Sequence, residues 1–214
     1  MTTDQRPLLL LFTWMSPAFP TGAFAYSHGL EWAIDCGTVR DAATLSQWIE
    51  DLLTRGSAWN DAVLFSRCWQ DDPGMLNALA LALATSRERH LETTQLGRAF
   101  RIAASVFAPA ILQDEEIAYP VAAGTACASM GIGLEDALLA WLNGFAASLT
   151  SVAVRLVPLG QTAGLEVLRD LAPILTATAA RAVAASLDDL GAITIAADIA
   201  AMQHETQPSR VFRT

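Results

Sequence analysis

Lysine is absent from this chain of 214 residues, and all 13 residues counted as lysine or arginine are arginines. A nucleotide-binding P-loop needs a lysine that reaches the terminal phosphates, and Schiff-base enzymes need a lysine amine, so neither kind of site can form here. Acidic side chains number 22, which gives a formal net charge of −9. This charge repels the phosphates of nucleic acids, and we therefore expect no nucleic-acid partner.

Cysteine and charge are also scarce. The 3 cysteines, Cys36, Cys68 and Cys127, lie far apart and form no C-x-x-C pair, a pattern typical of reduced thiols in the cytoplasm. Charged residues make up 16% of the chain and hydrophobic ones 53%, whereas a charged share of about a quarter is usual. This apolar surplus favours an interface with another subunit or partner.

Two apolar stretches could be mistaken for targeting or membrane segments. Residues 7–15 imitate a secretion signal, but Asp4, Pro17 and Pro20 disturb the pattern that such a signal needs. Residues 137–154 carry no charge, yet they include Asn143 and Ser148, which favours a buried core helix. We expect no membrane partner.

Helical periodicity dominates the chain and predicts one all-α, single-domain, multi-helix bundle over residues 1–214. Asp41 is placed to cap a helix whose apolar stripe is Leu45, Trp48, Ile49, Leu52 and Leu53, and Gly56 is placed to break it. Further helices are predicted from Gly22 to about Asp35, over 75–85, from Arg87 to before Pro109, from Pro120 to Gly131, over 134–156, over 161–185 with a kink at Pro173, and over 194–205.

Motifs for catalysis or metal binding are weak. No G-x-S-x-G occurs, and the neighbouring carboxylates Glu115-Glu116, Glu135-Asp136 and Asp188-Asp189 are best interpreted as solvated or helix-end groups. The sequence therefore predicts no enzyme activity. His28 and Glu31 stand three positions apart on the predicted first helix and could form half of a metal site, although a structural or partner-facing histidine is the simpler interpretation.

Arginines recur on one side of the predicted middle helix. The set comprises Arg87, Arg98 and Arg101, with Arg89 near them. In an acidic protein this face could dock an acidic or nucleotide-bearing partner, or it could be a solvated face paired with Glu88 and Glu92. The spacing leaves both interpretations open.

The C-terminal residues 205–214 differ from an ordinary frayed end. Pro208 ends the last helix, and Arg210, Phe212 and Arg213 follow it. Aromatic side chains and arginine concentrate binding energy at protein interfaces. We interpret residues 205–214 as a partner-docking tail.

Several stretches of the sequence, spread in order along the chain, resemble the urease accessory protein UreF family. They are SPAFPTGAFAYSHGLE at 16–31, RE at 87–88, QLGR at 95–98, YPVAAG at 119–124, VRLVPLGQ at 154–161, DIAAMQHE at 198–205 and SRVFR at 209–213. Because these motifs sample nearly the whole chain, the sequence is identified as a member of that family.

The resemblance implies an all-α, homodimeric, cytoplasmic accessory factor without catalytic activity or a tightly bound cofactor. Family members join the accessory protein UreD, called UreH in some species, and the GTPase UreG, which binds GTP, in a complex that inserts nickel into apo-urease. The implied partner-binding residues lie at the two ends of the chain: Phe24, Tyr26, Ser27, Glu31, His204, Glu205, Arg210, Phe212 and Arg213.

We expect these two ends to pack together into one docking surface. Phe24 would lie against the tail, and Arg210 would donate hydrogen bonds to carbonyls or to a carboxylate. An alternative function is an α-helical module that binds nickel directly, through His28, Glu31 and a cysteine, and passes it on.

Overall fold

The computed structural model describes residues 5–108 and 116–214, and the regular secondary structure of these residues is entirely helical. The helices are α1 (Arg6–Trp14), α2 (Leu30–Asp35), α3 (Ala42–Arg55), α4 (Ser57–Arg67), α5 (Pro73–Ala82), α6 (Arg87–Ala104), α7 (Tyr119–Ser129), α8 (Leu134–Leu156), α9 (Gly160–Val183) and α10 (Ile195–His204). Short 3₁₀ turns cover Ala23–Ala25 and Leu187–Asp189. The predicted all-α class is therefore confirmed for the described residues.

Helix α3 forms as its sequence predicts. Asp41 accepts a hydrogen bond from the Thr44 amide at 2.9 Å, and the Thr44 hydroxyl oxygen accepts one from the Asp41 amide at 3.1 Å, a reciprocal cap that satisfies free donors of the first turn. All five residues of the predicted apolar stripe are buried. Gly56 then separates α3 from α4.

Helix α4 lies at the centre of the bundle and is buried on nearly every side. It packs against α3, α7, α8 and α9. Its buried polar side chains are paired: Asn60 donates to the Ala192 carbonyl at 2.8 Å and accepts from the Gly191 and Ala192 amides, and Ser66 donates to the Ala182 carbonyl at 2.8 Å. These bonds tie α4 to the chain around α9 and the loop that follows it.

Helix α8 covers the range predicted for it. Among the described residues it is the one helix that is long and apolar enough to cross a membrane by length and composition, and half of its most apolar window is buried inside the protein. It packs against α9, α2 and α4, as expected of a core helix of the bundle.

Helix α9 continues through Pro173 to Val183, so the proline lies inside one helix, as predicted. Helix α6 approaches the chain before α7 very closely. A Cβ atom on Gly97 of α6 would lie 2.0 Å from the Ile117 carbonyl oxygen, so only glycine fits there. This contact fixes α6 beside α7, while α10 packs against α2 and α6.

Candidate functional site

The backbone between Gly22 and Leu30 is not the continuous helix that the sequence predicted. A 3₁₀ turn follows Gly22, Tyr26 is extended, and His28 and Gly29 both have left-handed φ angles, of 57° and 77°. Helix α2 therefore covers only the last part of the predicted helix. A histidine in this conformation is uncommon and is held by its surroundings, here by side-chain contacts on both ring nitrogens, described below.

The Glu31 carboxylate binds the tail by accepting hydrogen bonds from two of its backbone amides. Its Oε1 accepts the Val211 amide at 2.7 Å and its Oε2 the Phe212 amide at 2.9 Å. Glu31 is only 5% exposed, and hydrogen bonds from amides to a buried carboxylate are among the stronger ones in proteins, each contributing about 1.5–3 kcal/mol. One carboxylate thus fixes two consecutive residues of the tail.

His204 joins this carboxylate to a second one. Its Nε2 lies 3.2 Å from Glu31 Oε2 and its Nδ1 lies 2.7 Å from Glu88 Oε2, and the ring is completely buried. Both carboxylates are satisfied by the ring when both nitrogens carry hydrogen. Arg210 of the tail donates to Glu88 Oε1 at 2.8 Å, so both oxygens of the Glu88 carboxylate have a close partner.

A third carboxylate, Glu92, holds the end of the tail. Its Oε2 accepts from the Thr214 hydroxyl at 2.9 Å and lies 2.6 Å from Arg89 Nη1. Burial alone would raise the pKa of Glu92, but Arg89, followed by His28, holds it at about 2. Burial lowers the pKa of His28 itself, whose Nδ1 faces Glu92 at 3.3 Å and whose Nε2 faces the Ser57 hydroxyl at 2.6 Å.

Backbone contacts also attach the tail to residues 16–31, which we call the N-terminal motif. The Arg213 amide donates to the Ala25 carbonyl at 2.8 Å, and the Ser27 amide donates to the Thr214 carbonyl at 2.7 Å, an oxygen that also accepts from the Ser27 hydroxyl. The Phe212 ring is buried beneath the Arg155 guanidinium, which lies 4.4 Å from the ring centroid. We call Glu31, Glu88, Glu92 and His204, together with these contacts, the tail clasp.

The structure brings the two ends of the chain together, but the predicted site residues divide into two groups. Ser27, Glu31, His204 and Phe212 are buried within the tail clasp. Tyr26 is buried too, and its hydroxyl donates to Gln95 of α6. Arg210 and Arg213 keep exposed surface, and Glu205 is half-buried, where its carboxylate accepts the Arg87 amide at 2.9 Å and the Glu88 amide at 3.4 Å at the start of α6.

Phe24, which was expected to lie against the tail, keeps most of its side chain exposed. Its side chain is 72% exposed, and Arg155, which donates to the Phe24 carbonyl at 3.2 Å, covers the Phe212 ring instead. At this turn the contact with the tail is made by the backbone of Ala25, whose carbonyl accepts from the Arg213 amide.

Sequence reasoning missed the part that α6 plays. Glu88 and Glu92 were considered as solvated partners of an arginine face, yet they are 6% and 7% exposed. Arg89 is buried as well and pairs with Glu92, so it takes no part in an exposed arginine face, whereas Arg87 and Arg98 are exposed. The signal was present in the spacing: Glu88 and Glu92 are four residues apart and therefore share one face of the helix.

The alternative of a metal half-site formed by His28 and Glu31 does not match the geometry, whereas the preferred interpretation of His28 as a structural histidine agrees with its contacts. His28 precedes α2 and bonds Glu92 and Ser57, whereas Glu31 bonds the tail and His204. Cys68 and Cys127 are buried, and burial raises the pKa of each thiol to about 12, so neither is a thiolate near neutral pH. Within residues 5–108 and 116–214, no cluster of three or more metal-ligating side chains is found. Glu115 lies outside the described residues.

Comparison with known proteins agrees with the sequence motifs. The UreF family model matches residues 39–172. Proteins named urease accessory protein UreF are similar over the full length: one from Rhizobium leguminosarum bv. trifolii is 48% identical with 100% of both chains covered, and one from Roseobacter denitrificans is 47% identical with 100% of this chain and 96% of the relative covered. The matched length of these relatives includes residues 16–31 and 205–214 of this chain. The chain belongs to the UreF family of urease accessory proteins.

Proposed function

We propose that this protein acts in urease maturation as a non-enzymatic chaperone for nickel insertion, and that it bridges a UreD/UreH-type accessory protein and a UreG-type GTPase on the way to apo-urease. The observation that supports this most directly is the tail clasp. Ordering a polar ten-residue tail costs conformational entropy, and this chain offsets that cost with hydrogen bonds from the tail to the buried Glu31, Glu88 and Glu92 carboxylates.

The clasp defines the surface that would meet a partner. Buried Glu31 and Phe212 hold the tail in place, while Val211 and Phe24 are 71% and 72% exposed. Arg210 and Arg213 also keep exposed surface beside them. Exposed aromatic and arginine side chains on a rigid support are typical of interface hot spots. In this proposal the GTP is bound and hydrolysed by the partner, in the cytoplasm.

Replacement of Arg210 tests the docking role. Arg210→Ala removes the Glu88 hydrogen bond and one outward cation, and we expect it to abolish co-purification of the GTPase with the accessory complex while the circular dichroism spectrum stays unchanged. Arg169→Ala is the matched control, since Arg169 is an exposed arginine on α9 that pairs with its neighbour Asp170. Undiminished recruitment by the Arg210 variant would contradict the proposal.

We also propose that the protein forms a homodimer through an apolar surface on α1 and the end of α6. Leu9 and Phe12 of α1 are 62% and 64% exposed, and Val106, just after α6, is 80% exposed. The two helices are adjacent, because the Trp14 and Phe107 ring centroids are 6.2 Å apart. Uncovered apolar area of this kind is typical of subunit contacts.

A charge placed in that surface tests the dimer. We expect Phe12→Glu to convert the protein to a monomer in light scattering, because the interface would have to bury an unpaired carboxylate. Leu165→Glu on α9 serves as the control, since Leu165 is 68% exposed and lies outside the proposed contact. A dimer that survives the first change, or dissociates equally with the second, would assign the contact to another surface.

A further inference from the structure

Two exposed arginines of α6, Arg87 and Arg98, lack the carboxylate partners that several other exposed arginines have. Arg40, Arg55 and Arg169 each lie beside an aspartate. Within residues 5–108 and 116–214, by contrast, no ion pair involves Arg87 or Arg98. In a chain with a net charge of −9, these cations form a local positive surface that the proposed function leaves unused.

Arg87 and Arg98 belong to one face of α6. Positions 87, 91, 94 and 98 recur at steps of three or four residues and therefore share one side of the helix. We call the residues there the arginine strip: Arg87, Leu91, Thr94 and Arg98. Both arginines and Leu91 are exposed. The strip is about 16 Å long from position 87 to position 98, because a helix rises about 1.5 Å per residue.

The tail follows the edge of this strip. Arg210 donates to Glu88 at 2.8 Å, and Arg213 donates to Gln95 at 3.5 Å, so the tail runs along α6 over about two helical turns. Gln95 lies three residues before Arg98, a spacing at which side chains are neighbours on the helix surface. The arginine strip is therefore continuous with the exposed residues of the tail.

The carboxylates at the N-terminal end of the strip are already engaged. Glu88 accepts from Arg210, and the carboxylate of Glu205 accepts from backbone amides in the first turn of α6. Asp198 of α10 accepts from the Thr85 hydroxyl at 2.9 Å. None of these three groups forms an ion pair with the guanidinium groups of the strip among the described residues.

We propose that the arginine strip extends the docking surface of the tail and binds an acidic segment of the GTPase partner, whose carboxylates pair with Arg87, Arg98 and Arg213. This inference rests on the proposed function. Cations about 16 Å apart with an exposed leucine between them match a protein segment that carries several carboxylates. A nucleotide fits less well, because its charge is concentrated in one short phosphate group. Since the chain as a whole is acidic, the local positive strip also orients such a partner during its approach.

Charge reversal at Arg98 tests the strip. The probe is the UreG-type GTPase, titrated onto the complex of this protein with its UreD/UreH-type partner. We expect Arg98→Glu to weaken GTPase binding about tenfold at about 0.1 M salt and much less at about 1 M salt, because the Debye length falls from about 10 Å to about 3 Å. Arg169→Glu on α9 is the matched control, since it replaces another exposed arginine and changes the net charge by the same amount. It should bind the GTPase as the unaltered protein does.

The absence of lysine allows a direct test of the contact. Arg98→Lys keeps the cation and introduces the only side-chain amine of the chain, which a carbodiimide reagent couples to a touching carboxylate as an amide. We expect a cross-link between position 98 and an aspartate or glutamate of the GTPase, identified by mass spectrometry. Arg169→Lys is the control and should form no cross-link between position 169 and the GTPase.

The outcomes separate this inference from the proposed function. If Arg210→Ala abolishes recruitment while Arg98→Glu binds normally and position 98 forms no cross-link, the strip is a solvated face and the inference alone fails. If Arg210→Ala recruits the GTPase undiminished, the proposed function fails and the inference fails with it. Saturable binding of free GTP to this protein that is lost in Arg98→Glu would assign the strip to a nucleotide and would also overturn the inference.

Discussion

Three buried carboxylates near residues 16–31, and the partly buried Asp61, differ in the groups that pair with them. Glu31 and Glu88 share His204, and Glu92 has the short contact with Arg89, so each has close donors. Asp61 faces Arg89 at a longer distance and lies beside a cavity. Two side-chain carboxyl groups therefore have opposite pKa shifts: the pKa of Glu92 falls to about 2, and the pKa of Asp61 rises to about 6.

Asp61 gives a prediction for stability against pH. Its folded pKa lies above the ordinary value of 3.8, so folding favours the protonated form and ionised Asp61 lowers the free energy of unfolding. That penalty is full above about pH 6 and disappears as the pH falls towards 4. We expect Asp61→Asn to raise the free energy of unfolding by about 1–2 kcal/mol at pH 8, measured by urea denaturation.

The control for this prediction is the same variant at pH 4, where Asp61 of the unaltered protein is largely protonated and the two proteins should unfold at the same urea concentration. The neighbouring groups Arg89, Glu92 and His28 are unchanged in both. An equal gain at both pH values would mean that the substitution acts through packing and not through the charge.

At the scale of the elements, the junction of α2 with α10 depends on one glycine. Gly29 has a φ of 77°, and a Cβ atom there would lie 2.8 Å from the Ala201 amide nitrogen of α10. Both the left-handed backbone and the close approach therefore require glycine. Because α2 carries Glu31 and α10 carries His204, this contact sets the distance across the tail clasp.

Replacement of Gly29 separates the two effects. We expect Gly29→Ala to lower the free energy of unfolding by about 2–4 kcal/mol, from backbone strain together with the clash against α10. Gly37→Ala is a matched control, because Gly37 has a φ of 78° and its added Cβ would meet no atom of the described residues within 4 Å. We expect this variant to lower the free energy of unfolding by about 1 kcal/mol, from backbone strain alone. Equal losses in thermal denaturation would show that the contact with Ala201 is unimportant.

At the scale of the whole molecule, the tail is part of the fold. Residues 205–214 contribute a buried phenylalanine and charge-assisted bonds to three carboxylates of the helical bundle. Without these residues, Glu31, Glu88 and Glu92 would lose donors in a buried site, which is costly. The ends of the chain are thus joined through α2, α6 and α10.

Truncation after His204 tests this integration. We expect the truncation to lower the free energy of unfolding by about 4 kcal/mol, because it removes the buried Phe212 ring and breaks the hydrogen bonds of the tail. For a domain of this size, this corresponds to a fall in the melting temperature of about 10 °C. Val211→Ala is the control, since that exposed side chain should leave the melting temperature unchanged. If the truncated protein has the same melting temperature as the full-length protein, the tail does not contribute to the stability of the fold.

Local patterns were enough to predict most of the helices. The apolar stripe and the Asp41 cap of α3, the bounds of α8 and the glycine breaks all depend on interactions between residues close in the chain, which a sequence displays directly. The error at residues 26–29 arose because the left-handed conformation of His28 is imposed by contacts with Glu92 and Ser57, far away in sequence.

By itself, the sequence determined the helical class, the exclusion of lysine chemistry and the unusual residue types at both ends of the chain, because composition and helix signals are local properties. Only the tertiary structure decided what those residues do: it buried Glu88 and Glu92 against the tail, exposed Phe24 and left Asp61 beside a cavity. The physical reason is that the charge state and the hydrogen bonds of a buried group depend on neighbours that folding supplies from distant positions.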